Sequence, residues 1–166
     1  IGELIRSRYQ GFYLDKLASF QRKVRTFGFH FASLDIRQDS RIIQRALENA
    51  LRILPDYWHK KFEALSEDEQ IEALLNLDHE VDLASIVEPV ERDTLESMRL
   101  IQEIQKKNGE QSIHRYIISN CRGSRDVVHV IALFRLAGWK NDLSVDIVPL
   151  FETIDDLKTA HRTMSD

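Results

Sequence analysis

Three polar residues stand where short β-branched runs give out. Arg37 follows the run ending at Ile36, Asn120 follows Ser119, and Glu152 follows Phe151. An arginine presents a planar fork of donors suited to phosphate or carboxylate, and a glutamate presents hard oxygen to a divalent cation. In parallel α/β architectures the loops after the strands converge on one face, so residues at those ends can meet on one rim. Arg37 and Glu152 together would take an anion and a cation side by side. Charged residues end many strands, however. On residue types alone, a rim ion pair or a solvated charge outweighs a binding site.

The other reactive side chains carry less. His30, His59, His79, His114, His129 and His161 show no paired zinc-ligand spacing, and the single cysteine offers no thiolate set. His129 lies in an apolar helical run and reads as a hydrogen-bonded core or interface histidine. Cys121, close to a helix start, is a place for a lowered thiol pKa, but nothing beside it suggests a nucleophilic mechanism. The six glycines, at positions 2, 11, 28, 109, 123 and 138, are isolated, so no Gly-rich loop cradles a phosphate. Asp155-Asp156 and Glu67-Asp68-Glu69 are acidic residues favouring the positive ends of helices.

The elements that must position these residues follow from periodicity. Tyr13, Leu17, Phe20, Val24 and Phe27 form one apolar helical stripe, stopped by Gly28. Residues 29–36 alternate as a strand, with Ala32, Leu34 and Ile36 on one side. Gln38-Asp39-Ser40 offers caps for a helix carrying Ile43, Ala46, Leu47, Ala50, Leu51 and Leu54, which ends at Pro55. Trp58, Phe62 and Leu65 recur at helical spacing, and Ser66 with Glu69 makes a capping box. Residues 76–89 look like a surface connection, and a helix runs from about Glu91 to Asn108-Gly109. The last third alternates strand 115–119, a helix capped by Ser124 and stopped by Gly138, strand 145–151, and a closing helix capped by Thr153. Strands separated by helices imply parallel pairing and an α/β fold. Three strands do not close a barrel.

Composition bounds the class. The 166 residues are 43% hydrophobic and 30% charged, which describes one domain's worth of ordinary globular chain and excludes a disordered tail. A net charge of −4 implies no general attraction to nucleic acid or membrane surfaces. No stretch approaches a membrane-spanning length, and no signal-type start is visible. One cysteine suits a reducing compartment, so the expected location is cytoplasmic. The chain starts at Ile1 without a methionine and stops at Asp166 in a polar helical stretch, so a segment of a longer polypeptide is expected.

Longer stretches around the rim residues carry a family pattern. Phe27-Gly28 followed by Leu34-Asp35-Ile36-Arg37-Gln38-Asp39-Ser40 resembles the FG…LDIRQ-E/D-S signature of phosphoenolpyruvate carboxylases. Tyr116-Ile117-Ile118-Ser119 with Asp126-Val127 is similar to that family's Y-V-I-S…D-V-L segment. Residues 148–157, VPLFETIDDL, are similar to its PLFET-L-D-L segment. The motifs occur in family order from about Tyr13 onward, and residues 76–110 contribute little.

The resemblance implies a mostly helical α/β chain: a partial (β/α)₈-type barrel segment with about three parallel strands. Residues 1–166 would form one segment of the barrel domain, with 55–110 a helical insertion between barrel strands. The implied reaction joins phosphoenolpyruvate and bicarbonate into oxaloacetate and phosphate, a carboxy-lyase chemistry of anaplerotic carbon fixation feeding the tricarboxylic acid cycle. By resemblance Arg37 contacts the substrate phosphate, and Glu152 is a ligand of Mg²⁺ or Mn²⁺, which would act as a Lewis acid on the enolate. The implied partners are the remainder of the parent polypeptide and, for the parent, a homotetramer, with no nucleic acid or membrane.

The family's catalytic histidine segment, T-A-H-P-T, lies upstream of LDIRQ, and its G-R-G-G-S loop and second metal carboxylate lie downstream of PLFET. None is in this sequence, so no catalytic residue is assigned here and the chain alone is expected to be inactive. Thr159-Ala160-His161-Arg162-Thr163 mimics the histidine segment in the wrong place, with Arg162 for proline, and reads as an exposed helix. Asp39 replaces a commoner glutamate, Ile43 a common histidine, and 120–125 departs from the family's loop. The alternative from another class is a non-catalytic α/β interaction domain that keeps part of the barrel fold.

Overall fold

The computed structural model describes residues 1–28, 30–140 and 143–165, with the side chains of 56, 57 and 59 left aside. The His59 side chain and the first residue of the expected strand 29–36 therefore lie outside the described groups. The order is α1 (Gly2–Tyr9), α2 (Leu14–Phe27), β1 (Leu34–Asp39), α3 (Ser40–Ile53), α4 (Asp56–Glu63), α5 (Glu67–Leu75), α6 (Pro89–Asn108), β2 (Ile113–Ser119), α7 (Ser124–Leu136), β3 (Asp146–Pro149) and α8 (Ile154–Ser165). The strands form one parallel sheet in the order β1-β2-β3, with Arg37 level with Ile117 and Ile118 level with Pro149. This is a mostly helical α/β fold, consistent with a partial barrel.

Parallel neighbours need long crossovers, and the helices that make them cover one face of the sheet. Tyr116 and Ile118 of β2 point into that layer, where they are wholly buried with Ile43 and Ala46 of α3, Leu95 and Met98 of α6, and Leu133 and Phe134 of α7. Phe134 meets Tyr116 and Trp139 edge-on, at ring-centre distances of 5.4 and 5.2 Å, and the Trp139 indole donates to the Met98 carbonyl at 2.9 Å. On the other face Asp35 and Arg115 remain exposed and approach within 3.8 Å.

Local signals account for most boundaries. Asp39 is the N-cap of α3, accepting the Arg41 amide, and Ser66 and Glu69 close the expected capping box on α5. Thr153 and Asp156 exchange caps at the start of α8. Gly138, at φ 94°, supplies the left-handed residue that ends α7.

The structure bears out one expected helix without burying it and corrects two other expectations. The α2 stripe sets a helix but does not bury it: Phe20 is 63% and Phe27 46% exposed, and no residue of α2 is buried. Amphipathic period fixes the element, whereas burial needs a facing surface. The stretch 76–89 is more than a surface connection: most of its residues are exposed, but Leu77, Val81, Leu83 and Ile86 are buried and the Val81 amide donates to the Leu136 carbonyl at 2.9 Å. Its apolar residues lack a regular period because they anchor turns. Ser124 does not cap α7. Gly123 occupies that position, and the Asp126 carboxylate instead takes the Arg122 amide at 2.8 Å.

The contrast between α2 and α7 is measurable. Phe134→Ala should destabilise the chain by about 3–5 kcal/mol in denaturant unfolding, the ordinary result of emptying a packed aromatic site. Phe20→Ala should change stability by less than about 0.5 kcal/mol, as for a surface position. Equal losses would contradict this assignment of the core.

Candidate functional site

The register of the sheet sets the site. β1 starts later than the alternation suggests, at Leu34, and runs through Arg37 to Asp39. Arg37 is thus inside the strand, on the face away from the helices, rather than after it. The preceding residues cannot extend the strand smoothly, since Gly28 and Phe31 both have positive φ. β2 ends as expected at Ser119. β3 is shorter than expected and ends at Pro149, although the Leu150 amide still donates to the Ile118 carbonyl at 2.9 Å. That bond carries the chain forward to Glu152 at the same edge.

There the structure joins two of the three rim residues by their side chains and the third by its backbone. Arg37 Nη2 donates to Glu152 Oε1 at 2.7 Å, and the Asn120 amide donates to Glu152 Oε2 at 2.9 Å. Asn120 has φ 55°, a left-handed conformation that asparagine tolerates better than most residues, and this turns its N–H toward the carboxylate. Its carbonyl accepts the Ser40 hydroxyl at 2.7 Å, which ties the β2 turn to the start of α3. The ion pair is open to solvent, with side chains 57% and 42% exposed. Such a pair is worth roughly 0–1 kcal/mol, so either partner can be drawn to a ligand at little cost.

Asp156, read as a helix-dipole residue, also positions the site. Its carboxylate accepts the amides of Glu152 and Thr153 at 3.1 and 2.8 Å, and these bonds hold its pKa below the usual carboxylate value, the Thr153 hydroxyl contact leading. The Thr153-x-x-Asp156 spacing is the signal that would have found it. At the other end of the rim, Arg41 binds Asp39 through Nε at 2.9 Å and Nη2 at 2.7 Å. That side-chain pairing, chiefly, lowers the Asp39 pKa to about 2. The shorter side chain in place of glutamate has the length of an N-cap. Ile43 is fully buried.

The loop 120–125 sends its arginines elsewhere. Arg122 Nη2 reaches Gln44 at 3.3 Å and Arg125 pairs with Glu67 at 2.8 Å. Cys121 is buried and its thiol pKa is pushed up by desolvation, the reverse of a helix-start activation. His129 is buried and its pKa is lowered, first by desolvation, which favours the neutral ring. His161 is exposed on α8. Among the described residues no group of three or more His, Cys, Asp or Glu side chains could hold a metal. The Glu152 carboxylate offers hard oxygen donors of the kind a divalent cation takes, and by itself it is at most one ligand of such an ion. No helix of the described residues is long and apolar enough to cross a membrane.

Comparison with known proteins agrees in kind across the chain. A family model described as phosphoenolpyruvate carboxylase matches residues 3–166. The phosphoenolpyruvate carboxylase of Xanthomonas euvesicatoria pv. vesicatoria is 34% identical over 154 residues, covering 87% of this chain and 16% of that protein. The protein of the same name from Rhodopseudomonas palustris strain BisA53 is 32% identical over 157 residues, 90% of this chain and 17% of its own length. That from Synechococcus is 30% identical over 150 residues, 86% of this chain and 14% of the relative. The chain spans about one-sixth of the length of the curated relatives it matches.

The Asp39–Arg41 pair sets a pH dependence. A carboxyl whose folded pKa is about 2, against an ordinary value of 3.8, adds stability that is fully present above pH 4 and disappears as pH falls toward 2. An asparagine at this position would keep the cap and lose the charge. Asp39→Asn should therefore cost on the order of 1 kcal/mol at pH 6, solvent screening included, and close to nothing near pH 2. Urea unfolding of both proteins across that range checks the sign.

Proposed function

The chain belongs to the phosphoenolpyruvate carboxylase family, and from that premise we propose that it supplies one rim of a carboxylase active site within a longer polypeptide. The reaction of that site joins phosphoenolpyruvate and bicarbonate to give oxaloacetate and phosphate. The observation that carries this reading is the Arg37–Glu152 contact of 2.7 Å at the carboxyl edge of a parallel sheet. These are the residues that match the family's phosphate-contacting arginine and metal-binding glutamate.

Arg37 binds and orients the phosphate. Its guanidinium already makes one charge-assisted hydrogen bond, and turning to a phosphate dianion replaces that bond with a bidentate one. Glu152 is released by the same exchange. It remains aligned because the Asn120 amide holds Oε2 and Asp156 holds its backbone. A divalent cation, Mg²⁺ or Mn²⁺, supplies Lewis acidity at that carboxylate when bound. Anion and cation thus stabilise each other's sites, with the mutual pair as the resting arrangement.

In this reading residues 55–110 are a helical insertion between barrel strands, and the catalytic histidine and a Gly-rich phosphate loop come from the rest of the polypeptide. The isolated chain is then inactive. In the complete enzyme, Arg37→Ala should raise the KM for phosphoenolpyruvate by about tenfold or more with a smaller change in kcat, as expected for losing a charged hydrogen bond to substrate. Glu152→Ala should abolish metal-dependent turnover. Steady-state kinetics with varied phosphoenolpyruvate and Mg²⁺ decide it, and near-normal constants for both variants would sink the assignment.

A further inference from the structure

A cavity of about 500 Å³ opens between α3, α4, α5 and α7, and neither Arg37 nor Glu152 lines it. Its size is that of a small-molecule site. Leu47, Leu51 and Phe62 form an apolar wall, and the polar end is the turn that starts α7, with Arg122, Arg125 and His129.

The charges there are unevenly used. Of the two carboxylates on the cavity, Asp126 already accepts the Arg122 amide at 2.8 Å and Glu48 accepts the Gln44 side-chain amide at 3.0 Å. The Arg122 guanidinium is poorly engaged, at 3.3 Å from Gln44 and 3.9 Å from Asp126. Arg125 gives Nη1 to Glu67 at 2.8 Å. No side chain caps the first turn of α7. His129 is only 8% exposed, and its buried Nδ1 has no hydrogen-bond partner among the described residues. The Arg122 guanidinium and the His129 ring therefore hold unused hydrogen-bonding capacity at one end of a partly apolar cavity, beside a first turn of α7 whose Asp126 already accepts the Arg122 amide.

We propose that this cavity binds a small organic oxyanion, a carboxylate or a phosphate monoester on an aromatic or aliphatic body. The head lies on Arg122 and the first turn of α7, and the body lies against Leu47, Leu51 and Phe62. The site is separate from the carboxylase rim and does not depend on that reading, since binding to this chain is read without turnover.

The test is an NMR titration of the ¹⁵N-labelled chain with phenyl phosphate, phenylacetate, inorganic phosphate and benzyl alcohol. Saturable shifts at the amides of residues 122–129 are expected with phenyl phosphate or phenylacetate, and the tighter of the two identifies the head group. Inorganic phosphate and benzyl alcohol, which each carry half of the recognition, should bind at least about tenfold more weakly. Arg122→Gln, an exposed change that leaves the core intact, should weaken the aromatic anion by about tenfold or more, and Arg125→Gln by less. The proposal fails if neither aromatic anion saturates, if either half-ligand binds as tightly, or if Arg122→Gln binds as the parent does.

Discussion

Parallel pairing on both sides of β2 is the constraint from which the rest of this chain follows. Because β1, β2 and β3 run the same way, their carboxyl ends reach one edge, and no short turn can join them. Every connection must return along the length of the sheet, and the helices α3, α6 and α7 make those returns. Their apolar faces then have one place to go, against Tyr116 and Ile118 of the central strand. The packed aromatic group of Tyr116, Phe134 and Trp139 is thus a consequence of topology as well as of composition.

The same constraint separates two faces with different chemistry. The helix-covered side is apolar, and Gln38 reaches Thr94 of α6 at 3.3 Å as one of its few polar links. The open side carries Asp35, Arg37 and Arg115, none of which the helices desolvate. Period-two alternation in β1 puts Arg37 on the open side because Ile36 and Gln38 are on the covered one. A shift of one residue in register would bury the guanidinium among the helices, at a cost that an unpaired charge does not recover.

Legibility in the sequence follows the range of the forces involved. Caps and periods act over a few residues, so Ser66 with Glu69, the Thr153 cap, the stripe of α3 and the stop at Gly138 are all readable. Parallel pairing is readable because a helix intervenes between each pair of strands. The exposure of α2 is not, since Phe20 and Phe27 have the same spacing whether or not a surface faces them. The buried turns at Val81 and Ile86 escape for a related reason: the partner of Val81 is the end of α7, some fifty residues on. At the site, Arg37 and Glu152 stand out from strand ends and family motifs. The role of the Asn120 amide requires coordinates, because a backbone donor leaves no mark in residue type, whereas that of Asp156 lies in its spacing from Thr153.

The rim pair also dissolves an apparent choice between two readings of Arg37 and Glu152. A salt bridge and a binding site would be alternatives if the pair were buried, since breaking a buried pair leaves an unpaired charge at a cost of about 3–5 kcal/mol. Here both side chains are near half exposed, so solvent supports each charge when they part. Glu152 keeps its Asn120 hydrogen bond after Arg37 leaves, and its main chain keeps Asp156. Arg37 stays in a strand whose neighbours on either side of it in sequence face the helix layer. The weak interaction holds the two groups in place without committing them, and the backbone around each supplies the rigidity that the pair itself lacks. An exposed ion pair on a rigid frame is thus compatible with the proposed binding role of these two residues.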